Sequence, residues 1–164
     1  MIFRGRAWVF GDDIDTDVII PVRFCNTTDP DEFGKHCMHG IDPDFPKKIA
    51  RGDIIVARKN FGCGSSREPA PISIKAAGIS CIIARTFARI FYRNAFNVGL
   101  PLLECGDAPD EIREGDEIEV NIDTGEILDV STNKKFNAKP IPPFMQDLIR
   151  DNGLMNHLAK TLAL

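Results

Sequence analysis

Two short apolar runs, Ile54-Ile55-Val56-Ala57 and Cys81-Ile82-Ile83-Ala84, constrain this chain more than any other feature. Both are too short for a buried helix, are rich in β-branched residues and show no polar alternation, which predicts strands covered on both faces over Ile54–Arg58 and Cys81–Ala84. Between them, Ala70 to Ala77 with Gly78 beyond predicts a short helix with a glycine stop. Phe87, Ile90 and Phe91 then recur at helical spacing, Asn97-Val98-Gly99 ends that helix, and Leu102-Leu103-Glu104 supplies a third strand. Two successive crossovers of this kind imply a parallel sheet with right-handed connections.

The flanks add simpler pieces. Arg6 to Phe10 reads as a first strand, followed by the acidic loop Gly11-Asp12-Asp13-Ile14-Asp15-Thr16-Asp17, taken as a turn anchoring a mobile segment. Val22 to Asn26 is an exposed connection, and Thr27-Thr28-Asp29-Pro30 provides capping groups for a helix over Pro30–Met38. Glu117–Ile122 and Ile127–Val130 alternate around the turn Asp123-Thr124-Gly125-Glu126, a hairpin placed on an edge or in a small second sheet. Pro140-Ile141-Pro142-Pro143 stiffens the entry to helices over Phe144–Arg150 and Leu154–Leu162. The expected fold is α/β, a parallel βαβ core plus a β-hairpin and C-terminal helices, in one unit spanning residues 1–164.

Charge and cysteine content narrow the partners. A formal net charge of −4 gives no basic face for nucleic acid. The apolar stretch Ala7-Trp8-Val9-Phe10 is far too short for a signal-peptide core or a membrane span, so no membrane is expected and a cytoplasmic location is. Five scattered cysteines, Cys25, Cys37, Cys63, Cys81 and Cys105, contain no Cys-x-x-Cys pair. That argues against a disulfide framework and against an iron–sulfur or zinc site built by this chain alone, so no metal ligand is assigned.

Chemistry concentrates in Asn60-Phe61-Gly62-Cys63-Gly64-Ser65-Ser66-Arg67-Glu68, between a strand and a helix. At such a place unpaired helix N–H groups and the helix dipole favour anions, two hydroxyls add hydrogen bonds, and Arg67 offers a fork matching a carboxylate. A second reading makes the same stretch a capping box, with Ser65 bonding the third helical N–H and Glu68 reaching back. A P-loop would need lysine where Ser65 follows Gly64, and a nucleophile elbow would need glycine two residues either side of serine; neither fits. His36 and His39, three apart near a helix end, are read as exposed or capping, and Cys63 as a small apolar side chain in a tight turn.

Taken in order, Gly11–Asp17, Asn60–Glu68 and Phe87–Ala95 resemble the small subunits of 3-isopropylmalate dehydratase, a family similar to the swivelling fourth domain of aconitase, and the resemblance covers nearly the whole chain. It implies an aconitase-like swivelling β/β/α domain. It also implies a large partner subunit, in a heterodimer or heterotetramer, that carries a four-iron four-sulfur (4Fe-4S) cluster, with no cofactor held by this chain. The family reaction removes water from a hydroxy diacid and restores it at the adjacent carbon, interconverting 2-isopropylmalate and 3-isopropylmalate on the leucine pathway. Carried over by position, Ser65 would be the base, with Ser66 and Arg67 on a substrate carboxylate. Substrate choice is associated with the loop matching Phe24, Cys25, Asn26 and Thr27, where homoaconitase-like members place an arginine at the position of Asn26. Pro69 stands where many members have histidine, and Cys25 where leucine is usual. The alternatives left open are a homoaconitase, a citramalate or dimethylmalate dehydratase, and a non-catalytic anion-binding module.

Overall fold

The computed structural model describes residues 1–162 and contains one seven-stranded sheet in the order β4-β3-β2-β1-β5-β6-β7. In chain order the elements are β1 (Ile2–Val9), α1 (Thr16–Ile19), α2 (Pro30–Gly34), α3 (Phe45–Lys48), β2 (Ile54–Ala57), α4 (Pro69–Ala77), β3 (Cys81–Ala84) and α5 (Arg89–Asn97). There follow β4 (Leu102–Glu104), α6 (Ala108–Glu111), β5 (Glu117–Asn121), β6 (Glu126–Asp129), β7 (Lys134–Asn137), α7 (Pro143–Arg150) and α8 (Leu154–Leu162). A 3-10 turn, Val22–Phe24, lies between α1 and α2. Among the described residues no helix is long and apolar enough to cross a membrane.

β1 to β4 pair in parallel, and every residue of β2 and β3 is buried, as their unbroken apolar runs require. The hairpin does not form a separate sheet: β5 runs antiparallel to the first half of β1, Ile2 to Arg6, while Ala7 to Val9 pair with β2. β1 therefore begins four residues before the expected Arg6, because its start is fixed by β5 rather than by local pattern. At this change of partner a Cβ on Gly5 would sit 2.2 Å from the Gly52 carbonyl oxygen, so only glycine allows the approach. Beside it the buried Asp53 carboxylate accepts hydrogen bonds from the Arg6 and Ala50 N–H groups and from Trp8 Nε1.

Two expectations change. The helix over Pro30–Met38 stops at Gly34, whose Cβ position would lie 3.0 Å from the backbone of Ala76, so α2 packs closely on α4. Beyond it the chain turns through Met38, at φ +59°, to donate from Met38 N to Ile19 O and from Gly40 N to Val18 O. These long-range bonds outweigh the helical propensity of the segment. Phe87 precedes α5 rather than lying on it, bridging to Phe61.

Candidate active site

The glycine loop leaves β2 with its backbone already committed. Phe61 is fully buried, edge-on to Phe87 and Phe91 at 6.2 and 5.4 Å between centroids, and its N–H donates to Thr86 O at 3.1 Å. Gly62 follows at φ +85°, where a Cβ would fall 2.2 Å from the Phe91 ring. The loop is therefore pinned to α5 at one end.

The acidic loop clamps its other side. Gly62 N donates to Ile14 O, Thr16 N to Cys63 O, and the buried Thr16 hydroxyl to Ser65 O at 2.9 Å. Asp12 accepts from Lys59 N, Asp13 from Asn60 Nδ2, and Asp15 caps α1 through Asp17 N and Val18 N. The acidic residues thus anchor the glycine loop, not a mobile segment, and Thr16 to Ile19, expected in a turn and apolar run, form a helical turn.

With the backbone held, Ser65 and Ser66 are exposed, and they line one cavity of about 150 Å³ together with Arg67 and Thr16. Neither serine hydroxyl makes a hydrogen bond among the described residues, and α4 begins at Pro69 behind Glu68 with no side-chain cap. The capping-box reading therefore does not hold. The expected row of free N–H groups at the α4 start is also thin, because Pro69 and Pro71 have none and Ala70 N donates to Arg67 O. The first turn of α5 replaces it. Ala88 to Phe91 line the same cavity, and the N–H groups of Arg89, Ile90 and Phe91 have no backbone acceptor among the described residues.

Arg67 Nη1 donates to Asp17 at 2.6 Å and to Ile20 O at 3.5 Å, with the side chain 21% exposed. The Cys25 thiol is pushed up by partial burial, drawn down by Arg67 and raised by Asp17, so both charges reach the expected specificity loop. Phe24 of that loop stacks on His36 at 3.8 Å, meets His39 edge-on at 4.7 Å, and lies 4.6 Å beneath the Arg23 guanidinium. His36 and His39 are thus half-buried supports for Phe24 rather than exposed or capping groups. Asn26 is exposed, and Thr27 Oγ1 accepts from Asp29 N. None of Phe24 to Thr27 lines the cavity itself. Sequence reasoning gave no site role to Thr16 or Asp17, although the strictly spaced aspartates around them were the available signal.

The cysteines do not fit an iron–sulfur cluster. All five are free, burial pushes the fully buried Cys37 and Cys81 thiols up to about 12, and among the described residues no three His, Cys, Asp or Glu side chains are grouped to hold a metal ion.

Comparison with known proteins supplies the context for this geometry. The Aconitase C-terminal domain family matches residues 38–106. A 3-isopropylmalate dehydratase small subunit from Heliobacterium modesticaldum is 58% identical, over 99% of this chain and 98% of its own length. The 2,3-dimethylmalate dehydratase small subunit of Eubacterium barkeri is also 58% identical, over 96% of this chain and 97% of its own. A crystal structure of 3-isopropylmalate dehydratase from Methanocaldococcus jannaschii superimposes with a TM-score of 0.93 at 50% identity, covering 98% of this chain and 95% of that one.

Proposed function

Since the chain belongs to the family of 3-isopropylmalate dehydratase small subunits, and is the small subunit of a hydro-lyase that works with a large one, we propose that its exposed serine turn is the base and carboxylate site for interconverting 2-isopropylmalate and 3-isopropylmalate. The observation that carries this reading is the pairing of a rigid backbone with two uncommitted hydroxyls in one cavity. Ser65 Oγ takes the proton from the carbon next to a substrate carboxylate and returns it when water re-adds at the neighbouring carbon. A serine hydroxyl is a weak acid, so its deprotonated form needs converging positive charge. Arg67 and the first turn of α5 supply that charge from a fixed scaffold. Ser66 and Arg67 hold the carboxylate beside it.

The large subunit contributes the four-iron four-sulfur cluster, which when bound supplies Lewis-acid chemistry at the leaving hydroxyl. This chain acts as one swivel domain, in the cytoplasm. Asn26 presents no positive charge, so an apolar arm is accepted in preference to a third carboxylate, which would be left without a counterion. The equal identity to the 2,3-dimethylmalate dehydratase small subunit supports a second reading, in which a methyl on each of the two central carbons replaces the single isopropyl arm.

The test combines the purified chain with its large subunit without oxygen and follows alkene absorbance from isopropylmalate, dimethylmalate, citramalate and homocitrate. Turnover of isopropylmalate, lost by at least about 1,000-fold in Ser65→Ala while the subunits still assemble, is expected. Retained activity in Ser65→Ala would remove the base, and preferred turnover of dimethylmalate would select the second reading.

A further inference from the structure

Two guanidinium groups border the cavity at Ser65, and only one of them is neutralised. Arg67 is committed to Asp17, whereas Arg89 is exposed and makes no ion pair and no side-chain hydrogen bond among the described residues. Its position is locally unfavourable. Arg89 opens α5 behind Ala88, which gives no side-chain cap, and no acidic residue lies in the first turn, so a cation stands at the positive end of the helix dipole. Nothing in the helix rewards an arginine there, and a local rule broken beside a reactive turn marks a residue kept for its chemistry.

Charge balance indicates what that chemistry is. The substrate class proposed above is a dianion, and one carboxylate is met by Ser66 and Arg67. Arg67 is already shared between Asp17, the Ser65 oxygen and that first carboxylate, so the other carboxylate calls for a separate cation. Among the described residues bordering this cavity, Arg89 carries the remaining cation. We infer that Arg89 is a further substrate-binding residue, pairing with the second carboxylate of the hydroxy diacid and so selecting dianions over monoanions. This inference rests on the proposed dehydratase reading. Its rival is a role in partner docking, since Arg89 also borders a groove of about 340 Å³ lined by Tyr92, Phe144 and Met145.

The experiment uses the assembled two-subunit enzyme carrying Arg89→Gln or Arg89→Lys. A charge-assisted contact to a carboxylate predicts KM for isopropylmalate raised about 10- to 100-fold in Arg89→Gln with kcat changed less than about threefold, and an intermediate value in Arg89→Lys. Calorimetry with 2-isopropylsuccinate, a diacid lacking the hydroxyl, should show the same loss, while binding of the monoacid 4-methylpentanoate stays unchanged. Sedimentation should show unaltered subunit assembly. An unchanged KM and an unchanged succinate affinity would overturn the inference, as would a KM effect that vanishes at saturating large subunit, the mark of docking. Absence of turnover in the unmodified enzyme would instead defeat the dehydratase reading, and the succinate arm would still decide whether Arg89 binds dicarboxylates.

Discussion

The serine turn and the Phe24 turn lie close enough to share the charges of Arg67 and Asp17, yet they are held in different ways. The serine turn is fixed through its backbone, by Gly62 N to Ile14 O at 2.7 Å, Thr16 N to Cys63 O at 2.8 Å and a glycine pressed against Phe91. Among the described residues the Phe24 turn makes short-range bonds, such as Phe24 N to Pro21 O, Cys25 N to Val22 O and Asp29 N to Thr27 Oγ1, and rests on its neighbours through the Phe24 ring. A frame held mainly by main-chain bonds leaves Ser65 little room to move and depends on few of the side chains around it, Thr16 and Phe91 among them. A shelf made of side chains can be re-cut by substitution without disturbing that frame. The proposed function accordingly puts the chemistry on the first and the choice of substrate on the second.

The largest effect should come from breaking the frame. Gly62→Ala adds a Cβ where the Phe91 ring stands and asks alanine to adopt φ +85°, so we expect a stability loss of about 3 kcal/mol or more by thermal unfolding, with turnover lost for every substrate. If Gly62→Ala kept wild-type stability, the backbone would not be the clamp. Thr16→Val is the milder version: it removes the hydroxyl that donates to Ser65 O from a buried position, which should destabilise by about 1–2 kcal/mol and slow kcat about tenfold, equally for all substrates. A selective effect on one substrate would show that the two turns are not separable. Asn26→Arg probes the other side, adding a charge on the exposed shelf. It should shift kcat/KM about tenfold towards a substrate with an additional carboxylate and leave the melting temperature unmoved.

The same division explains what could be read from sequence. β3 and β4 have the boundaries their apolar runs announce, β2 ends one residue before the expected Arg58, and α4 stops at Gly78 with φ +109°, because burial on both faces and a glycine cap are local signals. Ser65, Ser66 and Arg67 were legible as a candidate site through their motif and its resemblance to a family, and they line one cavity. Their clamp was not, since Thr16 lies 49 positions from Ser65 and a four-residue helix such as α1 has no periodicity to detect. β7 was missed for a related reason: in Lys134-Lys135-Phe136-Asn137 only Phe136 is buried, and the strand exists through pairing with β6. The Phe24 shelf is a tertiary arrangement of residues that separately look exposed.

The smallest effect concerns that shelf and proton concentration. Partial burial holds the His36 imidazole below its ordinary value, with His39, Lys35 and Arg23 acting in the same direction and Glu32 opposing. A histidine depressed in the folded state prefers to be neutral there, so whatever it contributes to the stack with Phe24 is complete above the ordinary imidazole pKa of about 6.5 and is lost as the pH falls below that value. The side chain is substantially in contact with solvent, so the charge is screened and the consequence should be modest. Between pH 7 and 5.5 we expect the ratio of kcat/KM for isopropylmalate to that for citramalate to drift by about twofold, the scale of an exposed charge. His36→Phe keeps a ring against Phe24 but cannot take a proton, and should give a flat ratio over the same interval while the absolute pH dependence of kcat, which the proposed function assigns to the serine turn, is unchanged. Parallel drift in both proteins would mean that the shelf does not respond through His36, and a change in the kcat profile would mean that its protonation reaches the frame.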